Sequence, residues 1–273
     1  LGINFYHQPL GWVQTKPIHI QSGIIGMEFR HQFIDVSPYQ RVFVIGDIHG
    51  KLDHLKHTLD AIEFDSSNDL LISVGDLIDR GPQSIETLEF YHQTPWFLSI
   101  AGNHELMMSN ALSVWDLEDK TSEQRRLIEV WCKNGGDWAL TQPRATLEKL
   151  VNIVNQMPCA ITCALPDGRK VGISHAQPHS LVWEEMQNWQ GDMMDNPRWI
   201  WGRTRIQGQP SEPVSGVDFT IHGHTRSDNV AQIANSYFID TASRNDYTGE
   251  FTLLELYSGE FYSALTLTEW ENL

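Results

Sequence analysis

Cysteine is scarce in this chain: Cys132, Cys159 and Cys163 are the whole supply among 273 residues. An odd and sparse count excludes the disulfide framework on which small secreted domains depend, so a reducing, cytoplasmic setting is expected. Cys159 and Cys163 stand four apart, but no second cysteine pair or nearby histidine completes a metal or redox site. They are read as buried structural thiols. Positive charge is also in short supply, with 19 lysines and arginines against 35 acidic residues and a formal net charge of -16. A nucleic-acid groove or an anionic membrane surface would work against that field, and neither is an expected partner. A phosphorylated substrate stays open, because bound divalent ions and a few arginines can invert the potential inside one pocket. Long apolar runs are missing too: no stretch of ~20 hydrophobic residues could span a bilayer. No internal repeat or low-complexity segment occurs.

What is present is enough hydrophobic residue, 41%, to bury a sizeable core in one domain, and a monomer is expected. Short apolar runs that end near glycine and give way to helical periodicity recur at Val42 to Ile45, Leu70 to Val74 and Phe97 to Ile100. This is a strand, turn, helix rhythm. After the first run, Leu52, Leu55, Leu59 and Ile62 share one helical face, which predicts a helix over 51–63 lying on a sheet. Residues 116–157 lose the strand rhythm and read as a helical insert, with helix-like stretches around Gln124 to Lys133 and Thr146 to Gln156. Strands are predicted again at Ala160 to Leu165, Lys170 to Ser174, Phe219 to His222, Tyr237 to Ile239, Phe251 to Leu256 and Phe261 to Leu267. The last two form a hairpin across Tyr257 to Glu260. The pattern predicts an α/β fold of two packed, mixed sheets. Residues 1–40 carry little signal beyond short strands near Ile18 to Ile25 and are set apart, without a function, from a single catalytic domain over 41–273.

The chemistry-bearing residues stand where these strands end. The first run closes on Gly46-Asp47-Ile48-His49-Gly50, and residues two apart in extended backbone point the same way, so Asp47 and His49 can reach one metal ion. Asp-x-His after a strand is by itself often only a turn and helix cap. The second run closes on Gly75-Asp76-Leu77-Ile78-Asp79-Arg80-Gly81. An ordinary surface pair of Asp79 with Arg80 would leave the matching position of Asp76 unexplained. The third run closes on Gly102-Asn103-His104-Glu105, and an isolated Asn-His pair would more often be a helix cap beside a solvent-facing ring. Two later strands end in His175 and His224. Five strand ends bearing Asp, Asp, Asn, His and His make coincidence a poor explanation, since such ends converge on one rim. Oxygen and imidazole donors without thiolate suit manganese, iron or zinc, and their number implies a dinuclear centre. In such a centre the nucleophile is an activated water rather than a side chain.

With these residues in place the chain resembles the metallophosphoesterases, and within them the serine/threonine phosphatases of the bacteriophage lambda phosphatase type. The resemblance runs from about Arg41 to about Leu256. It rests on Asp69 to Asp76, Pro95-Trp96-Phe97, Gly102 to Met108, Asn134-Gly135-Gly136, Trp201-Gly202-Arg203 and Gly223-His224-Thr225. It implies a calcineurin-like β-sandwich of mixed sheets flanked by helices. It also implies two divalent ions, Mn²⁺ first and iron or zinc as alternatives. Asp47, His49 and Asp76 would hold one ion, and Asp76, Asn103, His175 and His224 the other. His104 would be the general acid, oriented by Asp79, while Arg80 and Arg203 would hold the phosphoryl oxygens. The substrate implied is a phosphoprotein or phosphopeptide carrying phosphoserine or phosphothreonine, with some phosphotyrosine activity. Three departures stand out: Gln177 replaces an acidic residue, His222 adds an imidazole beside His224, and residues 1–40 extend beyond the phage enzyme's start.

A diadenosine tetraphosphate hydrolase is the runner-up, since that family shares the metal motifs. Glu105 speaks mildly against it, because that family resembles Asn-His-Asp at this point. A metal-binding scaffold that has lost catalysis would show damage at Asp79, Arg80, His104 or Arg203, and all four are intact.

Overall fold

The computed structural model describes residues 27–190, 197–242 and 250–263. Their elements run in the order β1 (His31–Asp35), β2 (Arg41–Ile45), α1 (Leu52–Ala61), β3 (Asp69–Ser73), α2 (Ser84–Gln93), β4 (Phe97–Ser99), α3 (Asn103–Ser113) and α4 (Ser122–Lys133). A 3₁₀ segment (Gly136–Thr141) and α5 (Arg144–Val154) complete the helical stretch. There follow β5 (Ala160–Ala164), β6 (Lys170–Ser174), α6 (Trp183–Gln187), α7 (Arg198–Trp201), β7 (Phe219–His222), β8 (Ala231–Ile233), β9 (Ser236–Phe238), β10 (Thr252–Glu255) and β11 (Phe261–Ser263).

Two sheets result. The first has the order β11-β10-β2-β3-β4, with β2, β3 and β4 parallel and β10–β11 the expected hairpin. The second has the order β1-β5-β6-β7-β9-β8, with β6, β7 and β9 parallel. The two-residue period of a strand explains why both faces of β2 are apolar. Val42 and Val44 join Leu70 and Ile72 of the first sheet and Ile161, Val171, Ile173 and Ile221 of the second in one buried cluster. Phe43, Ile45 and Leu71 turn the other way, into a cluster with Leu55 and Leu59 of α1 and Leu88 of α2. This is the mixed α/β sandwich flanked by helices that the sequence pattern predicts.

The helical stretch between β4 and β5 holds α3, α4, the 3₁₀ segment and α5. α4 opens on a reciprocal cap, with Thr121 Oγ1 accepting from the Gln124 N–H and Gln124 Oε1 accepting from the Thr121 N–H. Four short elements were not foreseen. β1 holds one buried apolar residue, Ile34, and exposes Phe33, so as an edge strand paired with β5 it has no apolar run to betray it. β8, α6 and α7 span three to five residues, too few for a period to show. The strands expected near Ile18 to Ile25 lie outside the described residues, as does the hairpin beyond Ser263. Cys159 and Cys163 are buried and form no disulfide among the described residues, and burial pushes both thiols up to about 12. Among the described residues no helix is long and apolar enough to cross a membrane.

Candidate active site

Parallel strands in both sheets deliver their C-terminal ends to one rim, and the turns there are tight. Seven described non-glycine residues have positive φ, and five of them are His49, Asp76, Asp79, Arg80 and His224. Left-handed backbone is unfavourable for side-chain-bearing residues and persists where the surroundings hold it, which is typical of functional sites. One source of that hold is Glu105. Its buried carboxylate accepts from the N–H groups of Gly102 (2.7 Å), Asp76 (2.9 Å) and Leu77 (2.9 Å), tying the turn after β3 to the start of α3. Close approach also needs Gly102 to lack a side chain, because a Cβ there would lie 2.1 Å from Asp76 Oδ1.

The six expected ligands meet. His175 Nδ1 donates to the Val74 carbonyl at 2.8 Å, which leaves its Nε2 facing Asn103 Oδ1 at 2.9 Å and Asp76 Oδ1 at 3.4 Å. His224 brings Nδ1 within 2.7 Å of the same Asn103 oxygen. His49 Nδ1 donates to the Ile78 carbonyl at 3.0 Å, and its Nε2 lies 3.7 Å from Asp76 Oδ2 and 3.9 Å from Asp47 Oδ2. A ring N–H committed to a carbonyl fixes the tautomer and frees the other nitrogen as a donor. Asp47 accepts the backbone N–H of His224, which joins the two sheets across the rim. Ligating atoms of Asp76, His175 and His224 lie within 4.8 Å of one another, as do those of His49, Asp76 and His104. Asp76 belongs to both groups.

The electrostatics suit cations. Burial, then the nearby Asp240 and Asp76, raise the Asp47 pKa well above the usual carboxylate range. Burial works against ionisation of Asp76 as well, yet the imidazoles of His175, His104 and His49 bring it well below its ordinary value. Burial and His104 lower His49, and burial followed by His175 takes His224 down to about 3, so both rings are neutral and able to ligate. Buried acids beside neutral oxygen and nitrogen donors form a set that divalent ions fit.

Beside the ligands lies a dyad. His104 Nδ1 is 2.7 Å from Asp79 Oδ2, and its buried Nε2, with no hydrogen-bond partner among the described residues, points toward Asp76 Oδ2 at 3.8 Å. Burial raises the Asp79 pKa despite the hydrogen bonds that His104, Trp138 and Trp131 supply. Arg80 and Arg203, both exposed, reach over the buried ligands: Arg80 Nη1 lies 2.6 Å from His49 Nε2, and Arg203 Nε lies 3.2 Å from His224 Nε2. Gln177 Oε1 accepts the N–H of Arg205 at 3.0 Å, so the residue that departs from the phage pattern ties down the loop carrying Arg203. His222 stays in β7, bonded to the Ser174 carbonyl and to Thr220 Oγ1, and takes no part in the cluster.

Three features escape sequence inspection. Glu105 looks like a mark of subfamily and instead anchors three backbone amides. Asp240 sits buried just past the end of β9 and adds charge beside Asp47. A sixth strand ending in an acid was the available signal. Trp131 and Trp138 reach Asp79 from the insert, and only the neighbouring Asn134-Gly135-Gly136 hinted at them.

Comparison with known proteins agrees with this geometry. The family model for calcineurin-like phosphoesterases matches residues 40–228. The serine/threonine-protein phosphatase 2 of Escherichia coli is 32% identical over 222 residues, which cover 79% of this chain and 94% of that protein. A symmetrical bis(5'-nucleosyl)-tetraphosphatase of Pseudomonas fluorescens is 38% identical, but over only 89 residues, 32% of this chain and 30% of that one. A solved structure of a candidate diadenosine tetraphosphatase superposes with a TM-score of 0.60 at 19% identity, covering 86% of this chain and 97% of its own, a likeness of fold. The chain belongs to the calcineurin-like phosphoesterase family. It is a phosphoesterase, of a family whose chemistry depends on divalent metal ions.

Proposed function

We propose that this phosphoesterase removes phosphate from phosphoserine and phosphothreonine in proteins, with some hydrolysis of phosphotyrosine. The observation that carries this reading is the extent of the match. Likeness to the serine/threonine phosphatase spans 79% of this chain and 94% of that protein, whereas likeness to the tetraphosphatase is confined to about a third of each.

Asp47, His49 and Asp76 would hold one divalent ion, and Asp76, Asn103, His175 and His224 the other, with manganese the expected metal. When bound, such ions polarise the phosphoryl group and supply an activated water as nucleophile. The chain's own groups do the rest. Arg80 and Arg203, at the mouth of the buried cluster, bind the phosphoryl oxygens with planar N–H forks that match phosphate. His104 donates its Nε2 proton to the seryl or threonyl oxygen as the P–O bond breaks, and Asp79 on Nδ1 orients the ring and stabilises its charged form. A neutral alcohol leaves far more readily than an alkoxide, which is why a buried acid belongs beside this leaving group. The sparse cysteines, none in a disulfide among the described residues, support a reducing, cytoplasmic setting, and the formal net charge of -16 supports a protein substrate over nucleic acid or membrane.

The test is phosphate released from a phosphoserine peptide and from diadenosine tetraphosphate, side by side, after adding Mn²⁺ to metal-stripped protein. Preference for the peptide is expected. Preference for the dinucleotide would move the function to nucleotide clearance, and activity on neither would leave a metal-binding scaffold.

A further inference from the structure

α4 buries one side chain, Trp131, and spends it on the dyad. The indole N–H of Trp131 donates to Asp79 Oδ2 at 2.9 Å, the oxygen that also faces His104 Nδ1. Trp138, on the 3₁₀ segment that follows, donates its indole N–H to Asp79 Oδ1 at 2.8 Å. The two rings brace each other edge to face, with centroids 5.8 Å apart and planes at 85°. Between them Gly136 leaves the space the first ring occupies, since a Cβ there would lie 2.3 Å from Trp131 Nε1. Its neighbour Gly135 accepts the Arg80 N–H through its carbonyl at 3.4 Å. The stretch from Trp131 to Trp138 therefore backs onto the Asp79-Arg80 turn.

That turn needs support. Asp79 and Arg80 have φ of 71° and 69°, a left-handed pair that local backbone preference does not hold by itself. A carboxylate with a single donor keeps freedom to swing about its Cβ–Cγ bond, whereas a donor on each oxygen fixes its plane. We propose that Trp131 and Trp138 are positioning residues for proton transfer: one indole on each oxygen of Asp79 sets the carboxylate plane, and through it the aim of His104. This rests on the reading of His104 as general acid.

The experiment uses the full chain with Mn²⁺ and compares a phosphoserine peptide, whose alkoxide needs a proton, with p-nitrophenyl phosphate, whose leaving group does not. Trp138→Phe is the first variant because Trp138 is only half-buried and the ring core is kept; Trp131→Phe follows, with folding checked by thermal unfolding. Each should lower kcat on the peptide about 10-fold with KM changed less than about 2-fold, and lower turnover of p-nitrophenyl phosphate by less than about 2-fold. In a His104→Asn background Trp138→Phe should cost no more than about 2-fold further, because groups that act through one another are not additive. Equal losses on both substrates, or full additivity with His104→Asn, would overturn the proposal and leave the tryptophans as packing. If His104→Asn alone fails to distinguish the two leaving groups, the general-acid reading falls and the positioning role falls with it. If His104→Asn does distinguish them and the tryptophan variants do not, the positioning role alone is lost.

Discussion

The two sheets build their halves of the rim by different means. The first sheet supplies Asp47, His49, Asp76 and Asn103, of which His49 and Asp76 have left-handed backbone, and main-chain hydrogen bonds to Glu105 tie the turn after β3 to the start of α3. The second supplies His175 from the end of β6 and His224 from the left-handed turn after β7, rings oriented by a carbonyl and by a neighbouring amide oxygen. Carboxylates in a buried cluster repel one another and are held by backbone donors, whereas each imidazole adds a nitrogen without adding negative charge. The charged half is therefore the costly, specified half. The imidazole half completes it.

Variants that separate the halves follow from this. Asp76→Asn touches both ligand groups, so it should remove both ions and lower turnover by more than about 10⁴-fold; elemental analysis finding two ions per chain would contradict a bridging position. His104→Asn leaves every expected ligand in place and should lower kcat by about 10² to 10⁴-fold with metal content preserved. Unchanged turnover of phosphoserine would remove His104 from the chemistry. Glu105→Ala takes away no ligand but strands three buried amides, and should cost about 2–4 kcal/mol in urea unfolding. A change below about 0.5 kcal/mol would mean that the turns of the first sheet stand unaided.

The smallest effect lies on the second sheet's edge. His31 on β1 has its pKa lowered to about 4 by burial, and it pairs with Thr162 of β5. Below the unfolded value near 6.5 the unfolded chain binds the proton and the folded chain resists it, so this contribution to stability shrinks as pH falls from about 6.5 toward 4. His31→Gln should flatten that slope, reducing the drop in Tm between pH 7 and pH 4.5 by about 2–4 °C. Identical pH profiles for the two proteins would show that His31 is solvated in the folded state.

Much of this was legible early because the informative residues sit at strand ends marked by glycine. Gly46-Asp47, Gly75-Asp76 and Gly102-Asn103 announce the first sheet's rim, and the apolar runs before them give the strands through a two-residue period. β1 was not legible, since an edge strand with one buried apolar residue leaves no pattern. Nor was the work of Glu105, whose importance comes from three amides contributed by two separate turns. Trp131 and Trp138 carry no sequence signal of their own, because nothing in local spacing ties them to Asp79, 52 and 59 residues away.

The sequence by itself determined the element types, the two-sheet class and the six residues that meet at the rim, because each of these depends on local periodicity or on a motif read within a few residues. Tertiary structure alone decided which ring nitrogen each histidine turns inward, and that tryptophans of the helical insert reach the Asp79 carboxylate. Those outcomes depend on contacts between groups far apart in the chain, and only the packed sheets bring such groups within hydrogen-bonding range.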